Sequence, residues 1–409
     1  MTGFSSLRRA VVVLGALGAL SVTVPAFAQQ PEVRLGFLGS ITGPIAQLVP
    51  PIVRSSQLAV EQINAQGGIL GGRRLSVIVA DDQCNAQGAN DGASKLVNVD
   101  QVTAIVGALC SGATIAAANS VAIPNGVVMI SPASTSPAIT GLQDRDLVFR
   151  VAPSDAYQGQ VLAKYVIDKG IRRVALTWIN NDYGRGFSGA FRAAYERLGG
   201  TITAGEAHEP NQASYRSTLA TLGRERPEAL VLLAYAGGTG LTLIRQSLEG
   251  GFFNRFIGGD GMRDDVLIRE IGAQNLNILI TQPVSLPGNT SLETFNRDFA
   301  AVQGNPASIF VAQGYDSTFL LALAIQRAGS TDRAAISRAL RQVTAAGGEP
   351  IGPGEWRKAV EAMAAGRAIK YAGASGSIDF DENGDVPGVI AEFTIQNNSF
   401  TQGARLRAP

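Results

Sequence analysis

A chain of 409 residues exceeds the ~100–200 residues usual for one domain, so two domains are expected. With 45% hydrophobic and 16% charged residues it has enough apolar mass for sizeable cores, which excludes a largely disordered chain. The 34 basic and 33 acidic residues leave a net charge of +1, which argues against a nucleic-acid binder, and one His with two Cys disfavours a zinc enzyme.

The first 28 residues read as an export signal. Arg8 and Arg9 form a basic start, Ala10 to Leu20 is uncharged and apolar, and Ala26-Phe27-Ala28 is a cleavage signature. The apolar run is shorter than the ~20 residues of a membrane span. Cleavage after Ala28 leaves 32 basic and 33 acidic residues, net −1, in a soluble, exported chain. Export puts Cys84 and Cys110 in an oxidising compartment. One disulfide is the natural reading there, and two separate buried thiols the alternative.

Short apolar runs then alternate with amphipathic stretches. Strands are expected at 33–38, 75–80, 104–107 and 127–130, with helices at 52–65, 86–97 and 112–122 between them. Short connections make this a parallel, doubly wound sheet. The pattern restarts after Pro153. Helices at 157–169, 187–198, 215–224 and 240–249 alternate with strands at 174–179, 201–207, 229–233 and 256–257. A strand from 278, a crossing segment at 283–287 and helices at 292–302, 317–327, 336–343 and 356–364 follow. The tail reads as a hairpin, with arms at 376–380 and 389–396 and a turn at 381–385. The fold class is α/β, with two doubly wound Rossmann-like lobes.

Several motifs fall short of chemistry. Gly184-Arg185-Gly186-Phe187-Ser188-Gly189 has dinucleotide spacing, but four residues separate it from the preceding strand, so a helix-start loop explains it better. Asp379 to Gly384 begins like a calcium loop, yet Ile390 stands where a bidentate Glu belongs. His208, beside Glu206 and Glu209, reads as a solvated loop residue. Without it no Ser–His–Asp set assembles, and neither G-x-S-x-G nor a P-loop occurs. The chain is read as no enzyme, with no cofactor and no metal. What remains is polar residues at the carboxyl ends of strands, where open α/β sheets bind ligands. Ser111 and the 131–135 loop lie on the first sheet, and Tyr183, Tyr235 and Asp260 on the second. An anion site on one wall and an acid on the other suit a zwitterion.

Gly36 to Pro44, Asp81-Asp82-Gln83-Cys84, Gly107 to Ser111, Ile130 to Pro137, Asn181 to Gly186 and Gly258-Gly259-Asp260-Gly261 carry a resemblance. In combination they resemble the periplasmic leucine/isoleucine/valine-binding proteins of ABC importers over about residues 32–400. The resemblance implies the type I periplasmic binding fold, with a three-strand hinge joining lobe I (32–152 plus 284–370) to lobe II (153–283 plus 371–405). It implies a Cys84–Cys110 disulfide. It implies that Ser111 and the loop residues Ala133, Ser134 and Thr135, main-chain N–H groups included, hold a ligand carboxylate. Asp260 would hold the ammonium, with Tyr183 and Tyr235 as cleft aromatics. Where relatives commonly have an aromatic residue, this chain has Leu48, which points to a wider or differently shaped pocket. The implied partners are a small-molecule ligand and ABC permease membrane subunits, with the chain a monomer. The alternatives within the binding class are an amine-free carboxylate such as an aromatic acid, an amide or urea, or a sensory binding protein.

Overall fold

The computed structural model describes residues 31–408, so the export signal at 1–28 lies outside the described residues. Strands β1 (Val33–Gly39), β2 (Leu75–Asp81), β3 (Ala104–Gly107), β4 (Met129–Ser131) and β5 (Val148–Arg150) form an all-parallel sheet in the order β2-β1-β3-β4-β5. Every position of β1 except Arg34 is buried, as a parallel sheet covered on both faces requires.

A second sheet has strands β6 (Arg173–Ile179), β7 (Thr201–His208), β8 (Ala229–Leu233), β9 (Phe256–Gly258) and β10 (Ile278–Val284) in the order β7-β6-β8-β9-β10, again parallel. Both sheets therefore share one winding. In each, the order reverses beside the first strand entered, and a crevice opens there at the carboxyl ends. After β10 in sequence, β11 (Glu349–Ile351) and β12 (Ile369–Tyr371) make a small parallel pair. Two antiparallel strands, β13 (Val389–Gln396) and β14 (Ser399–Leu406), then extend the second sheet beyond β10.

The expected tail hairpin is replaced by another. Residues 376–380 form no strand; β13 turns into β14 through Asn397 and Asn398, at φ 50° and 57°. Asn tolerates that left-handed region, so this pair makes the tight turn. The 381–385 segment is still a turn, with Asp381 Oδ1 accepting from the N–H groups of Asn383 and Asp385. Asp385 in turn binds Arg150 of β5 at 2.6 and 2.7 Å, and Ala374 and Ser375 bind Asp316. Residues 372–385 thus stay with the first lobe, beyond the expected boundary at 370.

The chain passes between lobes at 151–153, 284–286 and 386–388, and these segments line one small common cavity. A Cβ on Gly388 would lie 2.3 Å from Pro153. The helix Val311–Ala328 is buried almost all round and lies against the helix Val49–Ala65, with Gly314 admitting Ile52 and Ser55. It begins six residues before the expected 317, because Gln313 and Gly314 blur its apolar period.

Two local readings change. His208 is not a solvated loop residue but the last residue of β7, only 3% exposed and held between Thr177 (2.8 Å) and Thr239 (2.9 Å). Burial lowers its imidazole pKa to about 4. The glycine motif at 184–189 lies within the helix Asp182–Arg197 rather than in a loop. A Cβ on Gly184 would lie 2.0 Å from the Ile179 carbonyl oxygen, and one on Gly186 would lie 2.6 Å from Pro137, so these glycines serve close packing.

Candidate functional site

The loops at the carboxyl ends of both sheets face one another. Between them lies a cavity of about 30 Å³. Ser111, Ala133, Tyr183, Tyr235 and Asp260 all line it, joined by Gly261 and by an apolar wall of Ile45, Leu48, Ile52, Leu109 and Phe310. A wider cavity of about 600 Å³ opens outside Tyr235, between Gln83–Ala86 of the first lobe and Asn180–Asp182 of the second. A third, of about 870 Å³, lies away from these groups, around Arg145 and Arg333.

On the first lobe, β3 delivers Ser111 as the opening residue of the helix Ser111–Ala117, whose cap Cys110 supplies no side-chain hydrogen bond. A Cys84–Cys110 disulfide, with Cα atoms 5.3 Å apart, ties this turn to the loop after β2. The Ser111 hydroxyl accepts from the Ser136 N–H at 3.2 Å, leaving its own proton to donate. After β4, the N–H groups of Ala133 and Ser134 both turn back to Ser131 Oγ, at 3.3 and 3.0 Å.

Ser134 and Thr135 do not line the cavity. Ser134 Oγ lies 2.7 Å from Thr114 Oγ1 and 3.1 Å from the Leu109 carbonyl oxygen; Thr135 Oγ1 donates to Asp155 Oδ2 at 2.7 Å. Both hydroxyls shape the loop instead.

On the second lobe, Asp260 opens a single 3₁₀ turn after β9. Its Oδ1 accepts from Gln158 Nε2 at 3.1 Å and from the Tyr183 hydroxyl at 3.4 Å. Burial raises its pKa to about 6. The Tyr183 oxygen accepts the Gly261 N–H at 3.2 Å, which a larger residue at 261 would block, since its Cβ would lie 2.6 Å from the Ala234 carbonyl oxygen. Tyr183 and Tyr235 stack at 5.1 Å between ring centroids. Burial raises both phenol pKa values, so both remain neutral donors.

Reading the sequence missed Asp155, Gln158 and Phe310. The helix Asp155–Asp168 starts two residues before the expected 157, and Ser154, a preferred N-cap residue followed by an acid, was the available signal. Phe310 sits in the left-handed region (φ 61°) just ahead of the central helix, and no local pattern marks it.

Direct contacts hold the lobes together around the cavity. Ser136 Oγ donates to the Asp182 carbonyl at 2.8 Å, and Gly237 and Gly238 lie against Pro44 so closely that a Cβ would come within 2.7 and 2.9 Å.

The sequence profile of the periplasmic binding protein family matches residues 32–374. The chain is 28% identical over 313 residues to a leucine-, isoleucine-, valine-, threonine- and alanine-binding protein of Pseudomonas aeruginosa, covering 76% of this chain and 83% of the relative. A leucine-binding protein, LivK, from Thermotoga maritima superposes with a TM-score of 0.77 at 26% identity, over 92% of this chain and 99% of that one. The branched-chain amino acid transporter substrate-binding protein LivJ of Streptococcus pneumoniae, solved with isoleucine, gives 0.76 at 25% identity, over 93% and 100%.

Proposed function

The chain belongs to the periplasmic binding protein family, and on that premise we propose that it captures an amino acid with an aliphatic side chain between its lobes. The relatives are solute-binding proteins, not enzymes, so the work is binding rather than chemistry.

One observation carries the reading. A single apolar cavity has the Ser111 hydroxyl contributed by one lobe and the Asp260 carboxylate by the other. A zwitterion has a carboxylate for the first, an ammonium for the second and a side chain for Ile45, Leu48, Ile52, Leu109 and Phe310. Leu48 leaves that wall aliphatic apart from Phe310, which favours branched side chains. An amine-free acid would leave Asp260 buried without a cation, which is costly.

The cavity's 30 Å³ holds little more than a water or two, so lodging an amino acid requires the lobes to part. Rotation at the three crossing segments supplies that motion. The ligand docks on the first lobe, and contacts made only on closure, those of Asp260 and the tyrosines, shift the population to the closed form. The export signal and the family together support a periplasmic location, where the closed form delivers its ligand to the permease of an ABC importer.

Calorimetric titration of ligand-stripped mature protein with the common L-amino acids, γ-aminobutyrate, urea and benzoate tests this. One-to-one binding of an aliphatic amino acid is expected, weakened about a hundredfold or more in Asp260→Asn by loss of a desolvated charge pair. Equal affinity in wild type and variant, or binding of benzoate alone, sinks the zwitterion reading.

A further inference from the structure

Asp260 is one of two neighbouring buried carboxylates. Asp155, fully buried at the start of its helix, accepts from Thr135 Oγ1 through Oδ2, while its Oδ1 meets no donor. One turn along the same helix face, Gln158 donates to Asp260 Oδ1 and to the Thr281 carbonyl, and its own Oε1 is left without a partner. Asp155 therefore stands behind Asp260 on the element that holds Asp260 in place.

Among the described residues no cation neutralises both acids. Among the described residues Arg150 is the base that acts on Asp155, and its guanidinium is already bonded to Asp385, Thr140 and the Ser136 carbonyl. From the helix after β6 comes Tyr183, and from the loop after β8 Tyr235, both neutral phenols. Asp82, just after β2, adds another acid whose charge acts on Tyr235. Arg263, next on the Asp260 turn, lies over the rings of Phe393 and Phe400 and pairs with Asp265. Strand β10 offers only Thr281. Two ionised carboxylates in such surroundings are disfavoured by burial and by mutual repulsion. Burial first, and the Asp260 charge second, push Asp155 well above the ordinary carboxylate range.

We propose that Asp155 and Asp260 share one proton at neutral pH, and that docking of a ligand ammonium on Asp260 expels it, coupling amino-acid capture to proton release. The inference rests on the zwitterion reading. The ligand arrives as R-NH₃⁺ and keeps all its protons. One carboxyl O–H bond of the pair breaks, its electrons stay on the oxygen, and the proton passes to the buffer. The bound ammonium then faces two carboxylates, one against it and one behind. A carboxylate ligand without an amine leaves the shared proton where it is.

Calorimetry at pH 7 in phosphate and in Tris, whose ionisation enthalpies differ widely, counts the protons. The probe is whichever common L-amino acid gives the largest thermal-shift response. Close to one proton released per ligand is expected, with affinity rising about tenfold from pH 6 to pH 7. Asp155→Asn, which can keep the Thr135 bond, should release almost none and bind with little pH dependence over that range. Tight wild-type binding with no proton released overturns the coupling and leaves the zwitterion reading standing. No amino acid bound at all, or Asp260→Asn binding as well as wild type, overturns both. Should Asp155→Asn fail to fold, the two-buffer measurement on the wild type decides alone.

Discussion

At the scale of single residues, His208 shows how one side chain can set a pH limit. Thr177 Oγ1 donates to the Glu206 carbonyl, so toward His208 it accepts from Nδ1–H, and Thr239 can donate to Nε2. The neutral ring is fully paired, and a proton added to it would be a buried charge with no acid in contact. The folded protein resists that proton down to about pH 4, while the unfolded chain takes it near the ordinary 6.5. The unfolded state thus binds more protons between these values. Stability from this site is complete above pH 6.5 and falls, by on the order of 3 kcal/mol, as the pH drops to 4. Urea denaturation of wild type and His208→Gln at pH 7 and 4.5 should show a shallower loss in the variant. Equal losses would remove His208 from this role. His208 also shows what a sequence hides. Glu206 and Glu209 lie close to it and suggest a wet loop, but it closes β7 with its ring turned inward, while Ala207 beside it in the strand faces outward.

At the scale of elements, the sheets and most helices were legible, because parallel strands read as unbroken apolar runs between amphipathic stretches. What was not legible depends on a few residues each. Strands β5, β11 and β12 are three residues long and each carries a charge (Arg150, Glu349 and Lys370) that breaks the apolar run. The tail hairpin was placed on Asp381–Asp385, a strong turn that instead serves an Arg150 salt bridge, while the plainer Asn397-Asn398 pair joins the strands. Of the expected ligand residues, Ser111, Ala133, Tyr183, Tyr235 and Asp260 line one cavity, and the sequence offered them because each follows a strand. Asp155 and Phe310 were not, because each depends on where a helix begins. The loop at 236–240 gives a test at this scale. Gly237 and Gly238 meet Pro44 of the other lobe, so Gly237→Ala should hold the lobes slightly apart without disturbing either core. Overpacking of this kind costs about 1–3 kcal/mol, which predicts affinity about tenfold weaker with faster ligand release and an unchanged melting temperature of the ligand-free protein. Stopped-flow release kinetics and a thermal melt check both parts.

At the scale of the whole molecule, the single disulfide joins the loops after β2 and β3, beside the switch point of the first sheet. Closing a loop across a separation of 26 residues, it is worth roughly 3–4 kcal/mol in the chain-entropy picture. The double variant Cys84→Ala, Cys110→Ala should therefore melt roughly 5–10 °C lower, a size set by the entropy of unfolding one lobe. Because Cys110 directly precedes Ser111, it should also bind ligand more weakly, which calorimetry on the folded variant would read. A variant with unchanged melting and affinity would show that the bridge neither braces the lobe nor aims the serine. The three crossing segments, gathered around one small cavity, have a mechanical consequence. A single tether would let two bodies swivel, slide and twist, whereas three abreast suppress all but one rotation. In the proposed closure each lobe would then approach the other along a fixed arc, and Ser111 and Asp260, which line one cavity, would return to the same separation each time. The length of a solute captured in this way would be gauged by the linkage itself, as the gap of a caliper is set by its pivot.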